Sequence, residues 1–306
     1  MAIRSPPAGQ RRRKRRLSHD WPWYLLFILP AFVVVVAVQF YPLAYSLLLS
    51  FQDWTLTASQ ATEGFNGLEN FRKLLSGNVF SRSVRNSAII TGAAVLVEMV
   101  LGMALAYLTV GSSWLIRSVR TVLILPMVIA PVAAGTLWRM MLNSRAGLVN
   151  HLLGFVGIDG PQWLASAEWA LVSVILVDIW IATPFVLLVV AAGITSIPGD
   201  LKEAAYIDGA SRRQVFLRIE LPLLAPLLLL TVMYRTLDSL LSLDTVFTLT
   251  LGGPGYSTYT LTYFIYTLGL KSFNLGQAAA ASWMFMLFAG SVIGLTFWMQ
   301  QRLQSR

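Results

Sequence analysis

Cysteine is absent from the 306 residues, which excludes disulfides, thiolate metal sites and thiol nucleophiles. Histidine is nearly absent. His19 and His151 stand far apart without ligand-like neighbours, so no zinc or haem site is expected. Charge is also scarce. Asp, Glu, Lys and Arg make up 12% of the chain, roughly half of the ~25% usual in soluble domains. What charge there is falls in clusters and leaves long uncharged stretches, so lipid is the expected solvent for most of the chain. No G-x-x-x-x-G-K-[S/T] occurs, which removes a P-loop nucleotide site. No nucleophile–base pair or metal-ligand grouping stands out in the apolar runs. A membrane-embedded enzyme is therefore not expected, and no catalytic or metal residue is assigned.

Hydrophobic residues, at 56%, are abundant. Six stretches have the ~20 mostly apolar residues that a membrane helix needs. They run over about 22–49, 86–110, 121–142, 169–194, 222–249 and 277–299. The second holds Glu98, the fourth Asp178, and the fifth Arg235, Asp238 and Asp244. Pro126 and Pro131 lie in the third, where neighbouring helices can re-satisfy the backbone groups a proline frees. The aromatic stretch 256–270 is short and threonine-rich, and reads as an interfacial or re-entrant segment rather than a seventh span. The expected fold is an all-α membrane protein of six transmembrane helices.

The net charge of +9 is uneven. Arg11, Arg12, Arg13, Lys14, Arg15 and Arg16 form one block before the first apolar run. A nucleic-acid-binding reading is weaker than that of a cytoplasmic anchor, because a long span follows directly. That span is also too long for a signal peptide. Lys and Arg concentrate in the tails and inward loops, which places both termini in the cytoplasm. The expected organisation is a basic cytoplasmic tail over 1–20, then a first span and outward loop over 21–83. A core of five spans follows over 84–300, with an inward loop over 195–221. That loop is long and charged, which suits docking of a soluble partner.

Within the loop stand Glu203, Ala204, Ala205, Tyr206, Ile207, Asp208, Gly209, Ala210 and Ser211, followed by Ile219, Leu221, Pro222 and Pro226. The small alanines permit close approach of another protein. Gly209 can take the left-handed conformation that ends a helix. The spacing resembles the EAA loop of permease subunits of type I ABC importers, in which EAA is followed by DGA and a later I-x-L-P. Further matches point to the carbohydrate, maltose-type branch. They are Phe65 to Phe71 (F-x-G-L-x-N-F), Gly147 with Asn150 (G-x-x-N), and Leu249 to Pro254 (L-T-x-G-G-P). The first 20 residues lie outside the resemblance.

The resemblance implies a type I ABC importer permease fold in the cytoplasmic (inner) membrane of a bacterium or archaeon. Glu203, Ala204, Ala205, Asp208, Gly209 and Ala210 would couple to a separate ATPase. It implies a second homologous permease, two copies of a cytoplasmic ABC ATPase that bind ATP and Mg, and an extracytoplasmic solute-binding protein. A carbohydrate would be the solute, with no nucleic acid. Arg235, Asp238, Ser239 and Ser242 share one helical face, and Asp178, Ala182 and Phe185 form a similar stripe. Alignment of the EAA and G-G-P landmarks implies that both stripes contact solute. Arg235 and Asp238 have a plainer reading, as a pair neutralising each other across one turn. Glu98 and Asp244 read as structural partners or helix-interface groups. An ion-coupled secondary transporter using Asp178 is the rival function, but it leaves the segment 203–209 unexplained.

Overall fold

The structure, a computed structural model, describes residues 21–56, 64–111 and 113–304, in two units that divide after Leu48. The basic tail of 1–20 lies outside the described residues. The first unit is one apolar helix. Here α1 (Trp21–Val35) passes through a π turn (Val36–Phe40) into α2 (Tyr41–Ser50). Its described side chains up to Leu48 are exposed apart from half-buried Ser46, and nearly all are apolar. Such a surface suits lipid rather than water.

The second unit begins with a two-residue antiparallel pair, β1 (Gln52–Asp53) and β2 (Gly64–Phe65). Next come α3 (Glu69–Ser76), α4 (Asn78–Thr109), α5 (Trp114–Val128), α6 (Pro131–Met141), α7 (Leu148–Phe155) and α8 (Ala167–Ser196). After them come α9 (Gly199–Ile207), α10 (Arg212–Val215), α11 (Leu221–Leu241), α12 (Asp244–Leu249), α13 (Leu261–Tyr266) and α14 (Leu275–Gln304). Among the described residues, five helices are long and apolar enough to cross a membrane, and six if the bent pair α5–α6 counts as one span.

Three spans differ from their sequence outline. The second starts at Asn78 rather than near 86, so the expected boundary at 83/84 falls inside α4. The third is not one helix, because α5 and α6 meet at 99°. Ala130 precedes Pro131, and the proline ring bars the α conformation there. Ala130 accordingly turns extended, at ψ 135, and Ile129 ahead of it is extended as well, at ψ 130. Pro126, by contrast, sits inside α5 without a break. The fifth span starts earlier and stops earlier than expected. It runs from Arg212 through a π turn (Phe216–Glu220) to Leu241. Ser211 and Gln214 cap its start with a reciprocal pair of bonds. Ser242 is extended, at ψ 115, so Asp244 begins a separate short helix. The last ten residues of the expected inward loop, 212–221, are therefore helix continuous with the fifth span.

The most extensive helix contact joins α4 to α8. Lipid offers little hydrophobic drive between helices, so small residues that let backbones approach are favoured there. Gly102 shows why: a Cβ at that position would lie 2.6 Å from Cβ of Val186. Ala106, one turn on, is fully buried in a cluster with Val186, Val190 and Leu224. Between the first span and α4, Asn70 is 1% exposed and donates through Nδ2 to the carbonyls of Ser50 (3.0 Å) and Gln52 (2.8 Å). This asparagine of the F-x-G-L-x-N-F run thus anchors α3 to the preceding turn.

A charged tie crosses the apolar core. Arg235 of α11 is 3% exposed. It donates through Nε to Glu98 Oε2 at 2.8 Å and through Nη2 to Glu98 Oε1 at 3.0 Å, a two-pronged bond to α4. The same Nη2 reaches Asp178 Oδ1 of α8 at 3.3 Å, and Nη1 donates to Asp238 one turn along α11. Ser239 Oγ donates to Asp178 Oδ2 at 2.8 Å and lies 3.2 Å from Thr91 Oγ1 of α4. A mutual pair of Arg235 and Asp238 is thus too narrow a description. The fully buried partner of Arg235 is Glu98.

Removing one member of a buried ionic group leaves the other uncompensated, which typically costs about 3–5 kcal/mol. Arg235→Leu should therefore lower folded yield and melting temperature sharply. Asp238→Leu should fold close to normally, because the Asp238 side chain is 54% exposed. Thermal unfolding of the two purified variants checks this. Equal stabilities would show that Arg235 does not hold the three helices together.

Candidate functional site

Two places gather the residues singled out in the sequence. The first is a cavity of about 400 Å³ at the α11–α12 break. It is lined by Asp178, Ile181 and Ala182 of α8, by Pro131 at the α5–α6 bend, and by Arg235, Asp238 and Leu241 of α11. The linker Ser242–Leu243 and the start of α12, at Asp244 and Thr245, complete it. Two helix breaks therefore shape one hollow. The prolyl bend brings α6 in from one side, and the extended Ser242 turns α12 in from another. Non-helical backbone at membrane depth is tolerated where it lines such a cavity.

Of the seven residues on the two stripes, five line this hollow: Asp178, Ala182, Arg235, Asp238 and Ser242. Ser239 stands behind it, bonded to Asp178. Phe185 does not line it. Its ring packs against Tyr234 with centroids 4.9 Å apart, in the apolar cluster of α4, α8 and α11. Two turns separate Phe185 from Asp178, and the helix carries it out of the polar level. Asp244 lines the cavity although the periodicity of a continuous fifth helix gave no reason to include it. The missing signal was the break at Ser242, which no glycine or proline marks.

The second place is α9. Pro198, at ψ 131, lies outside the helix, and α9 starts at Gly199. The end is a Schellman turn. Gly209, at φ +80, donates to Tyr206 O at 3.1 Å, and Ala210 N donates to Ala205 O at 2.9 Å. No residue of α9 is buried. Glu203, Ala204, Asp208 and Gly209 are exposed, whereas Ala205 and Ala210 are half-buried. Leu201, Tyr206 and Ile207 are also exposed, Ile207 at 86%. The outward face is thus apolar with an acidic edge.

The opposite face of α9 is tied to the spans. Lys202 Nζ lies 2.6 Å from Glu220 Oε1, at the π turn leading into α11. Glu220 Oε2 accepts from the Tyr107 hydroxyl of α4 at 2.8 Å. Tyr107 also meets Phe216 edge-on, at 5.4 Å between centroids. One carboxylate thus joins α9, α4 and the base of the fifth span. This tie has no cue in the sequence, because its three members come from separate elements and follow no shared period.

The chain as a whole is similar to known proteins. The family described as binding-protein-dependent transport system inner membrane component matches residues 74–306. The chain is 32% identical to the trehalose/maltose transport system permease protein MalF of Thermococcus litoralis, over 84% of this chain and 85% of that one. It is likewise 32% identical to the sn-glycerol-3-phosphate transport system permease protein UgpA of Pectobacterium atrosepticum, over 90% and 92%. The fold matches a chain of a bacterial alginate ABC transporter, solved with an alginate pentasaccharide-bound periplasmic protein. The TM-score is 0.78 at 24% identity, covering 93% of this chain and 95% of that one. With its membrane-length helices and type I permease fold, this chain belongs to the family of inner membrane components of binding-protein-dependent transport systems, as a multi-pass permease subunit.

Proposed function

We propose that the chain is the permease subunit through which a sugar or sugar-like solute enters the cytoplasm, driven by a separate ATPase that docks on α9. The observation that carries this reading is the form of α9. It is a short exposed helix with an acidic edge and exposed apolar side chains, closed by a Schellman turn at Gly209 and held to the spans by the Lys202–Glu220–Tyr107 tie. A helix that is exposed on one face and anchored on the other can receive a partner and pass on its displacement. Relatives named for trehalose, maltose and glycerol phosphate transport support a polyhydroxylated solute. The cavity offers carboxylates and a serine hydroxyl, which suit the hydroxyls of such a molecule. A second, homologous permease would complete the pathway. Two ATPase copies carrying ATP and Mg would sit beneath it, and a solute-binding protein would deliver from outside.

Purified alone, the chain should hydrolyse no ATP. Hydrolysis should appear once the partner permease and ATPase are added, and should rise with loaded binding protein. ATP turnover by the isolated chain would reject the proposal.

Coupling can be tested at three residues. Gly209→Pro removes the left-handed turn and its N–H, and Glu203→Lys inverts charge on the outward face. Both should leave the protein in the membrane and abolish uptake, with the ATPase lost on purification. Glu220→Ala strips the Lys202 ammonium and the Tyr107 hydroxyl of their shared partner. It should retain the ATPase yet slow uptake at least about tenfold, because a hydrogen bond to a charged group is worth about 1.5–3 kcal/mol. Wild-type uptake in all three would remove α9 from the coupling path.

A further inference from the structure

We propose that the cavity at the α11–α12 break excludes anionic solutes and takes a neutral sugar or polyol, or one bearing an ammonium group. This rests on the reading that the cavity lies on the solute path. The family does not fix the charge of the cargo, since a glycerol phosphate permease is among the relatives. The side chains here do discriminate.

Among the described residues, Arg235 is the sole basic one lining the hollow, and it is already engaged. A guanidinium has five N–H donors. Four of them go to carboxylates: two to Glu98, one to Asp178 and one to Asp238. At 3% exposure, Arg235 has almost no surface left to offer a phosphate, sulfonate or uronate. The groups turned to the hollow are acceptors. Asp238 is 54% exposed on its side chain and Asp178 13%. Asp244 lines the same hollow and makes no ion pair within the described residues.

The charge balance follows from the same contacts. Three carboxylates surround one guanidinium, and Asp244 adds a fourth acid on the wall. With one of the four acids protonated, the wall is still negative overall. An entering anion meets that field at short range in a medium of low dielectric, where like charges repel strongly. A hydroxyl or ammonium instead finds carboxylate oxygens as acceptors, and bonds of that kind are the stronger ones.

Three probes that share one ring and differ in charge test the proposal: glucosamine, glucose and glucose 6-phosphate. Their equilibrium binding is measured on the complete importer in lipid nanodiscs, without the solute-binding protein. Glucose 6-phosphate should bind at least about tenfold more weakly than glucose, with glucosamine at least equal to glucose. In the double variant Asp238→Asn with Asp244→Asn, the gap between glucose and its phosphate should shrink several-fold. The proposal is overturned if the phosphate binds as tightly as glucose, or if the gap is unchanged in the variant. Absence of saturable binding by all three probes overturns it as well, because the hollow is then not a solute site. ATPase stimulation by the loaded binding protein is recorded on the same nanodiscs. If stimulation is present, a failure counts against the charge rule alone. If it is missing, the permease reading falls and takes the charge rule with it.

Discussion

The guanidinium of Arg235 is the contact on which the middle of the second unit depends. Lipid-soluble helices gain little by burying apolar surface against one another, so what fixes their register is small-residue packing and polar ties. The Gly102–Val186 approach supplies the first between α4 and α8. Arg235 supplies the second, reaching Glu98 on α4 and Asp178 on α8 from its place on α11. Glu98 is fully buried, and among the described residues both of its side-chain hydrogen bonds come from Arg235. A buried carboxylate without its partner is expensive in any protein and more so at membrane depth. Arrangements that separate α11 from α4 are therefore disfavoured, whatever the apolar side chains would tolerate.

The same tie determines what the cavity can be. Because Glu98 takes two of the five guanidinium donors from behind, Arg235 faces the hollow with little left to give. Asp178 and Asp238 meet it from the cavity side. A structural requirement, neutralising Glu98, thus consumes the cation that an anionic solute would need.

Much of this was legible in the sequence, and the reasons differ by element. The Schellman turn was readable at Gly209 because the left-handed conformation leaves few alternatives to glycine. The spans were readable from length and hydropathy, which report on lipid rather than on partners. Their limits were harder. Pro131 was visible, but proline also occurs inside continuous membrane helices, as Pro126 and Pro184 do here. The two roles become distinct only when the residue ahead of the ring turns extended. The break at Ser242 had no local marker, so Asp244 could not be phased with α11. Glu98 was conspicuous as a lone acid in an apolar run. Its partner lies 137 residues away, a pairing that no helical period encodes. Phe185 shows the opposite error. It shares a stripe with Asp178, yet a stripe running the length of a membrane helix passes from the polar level into the apolar one.

One helical segment links the two candidate sites. From Glu220, where the tie to α9 is made, to Arg235 is a run of about four turns, and at 1.5 Å per residue this is roughly 22 Å. The segment between is helical throughout, interrupted by no extended residue. A rigid rod of that length transmits a push or a rotation applied at one end to the other, without any chain of side-chain rearrangements between them. On the proposed coupling, a displacement of α9 would reach the base of this rod through Lys202 and Glu220. It would move the Arg235–Asp238 face at the far end relative to Asp178 on α8. The weakest bond of the quartet would respond first. The 3.3 Å contact of Nη2 with Asp178 is longer than either bond to Glu98, and Asp178 belongs to a different helix from Arg235. A motion that opens this contact would free one carboxylate oxygen toward the cavity while α11 stays locked to α4. Access to the hollow and its supply of acceptors would then change together.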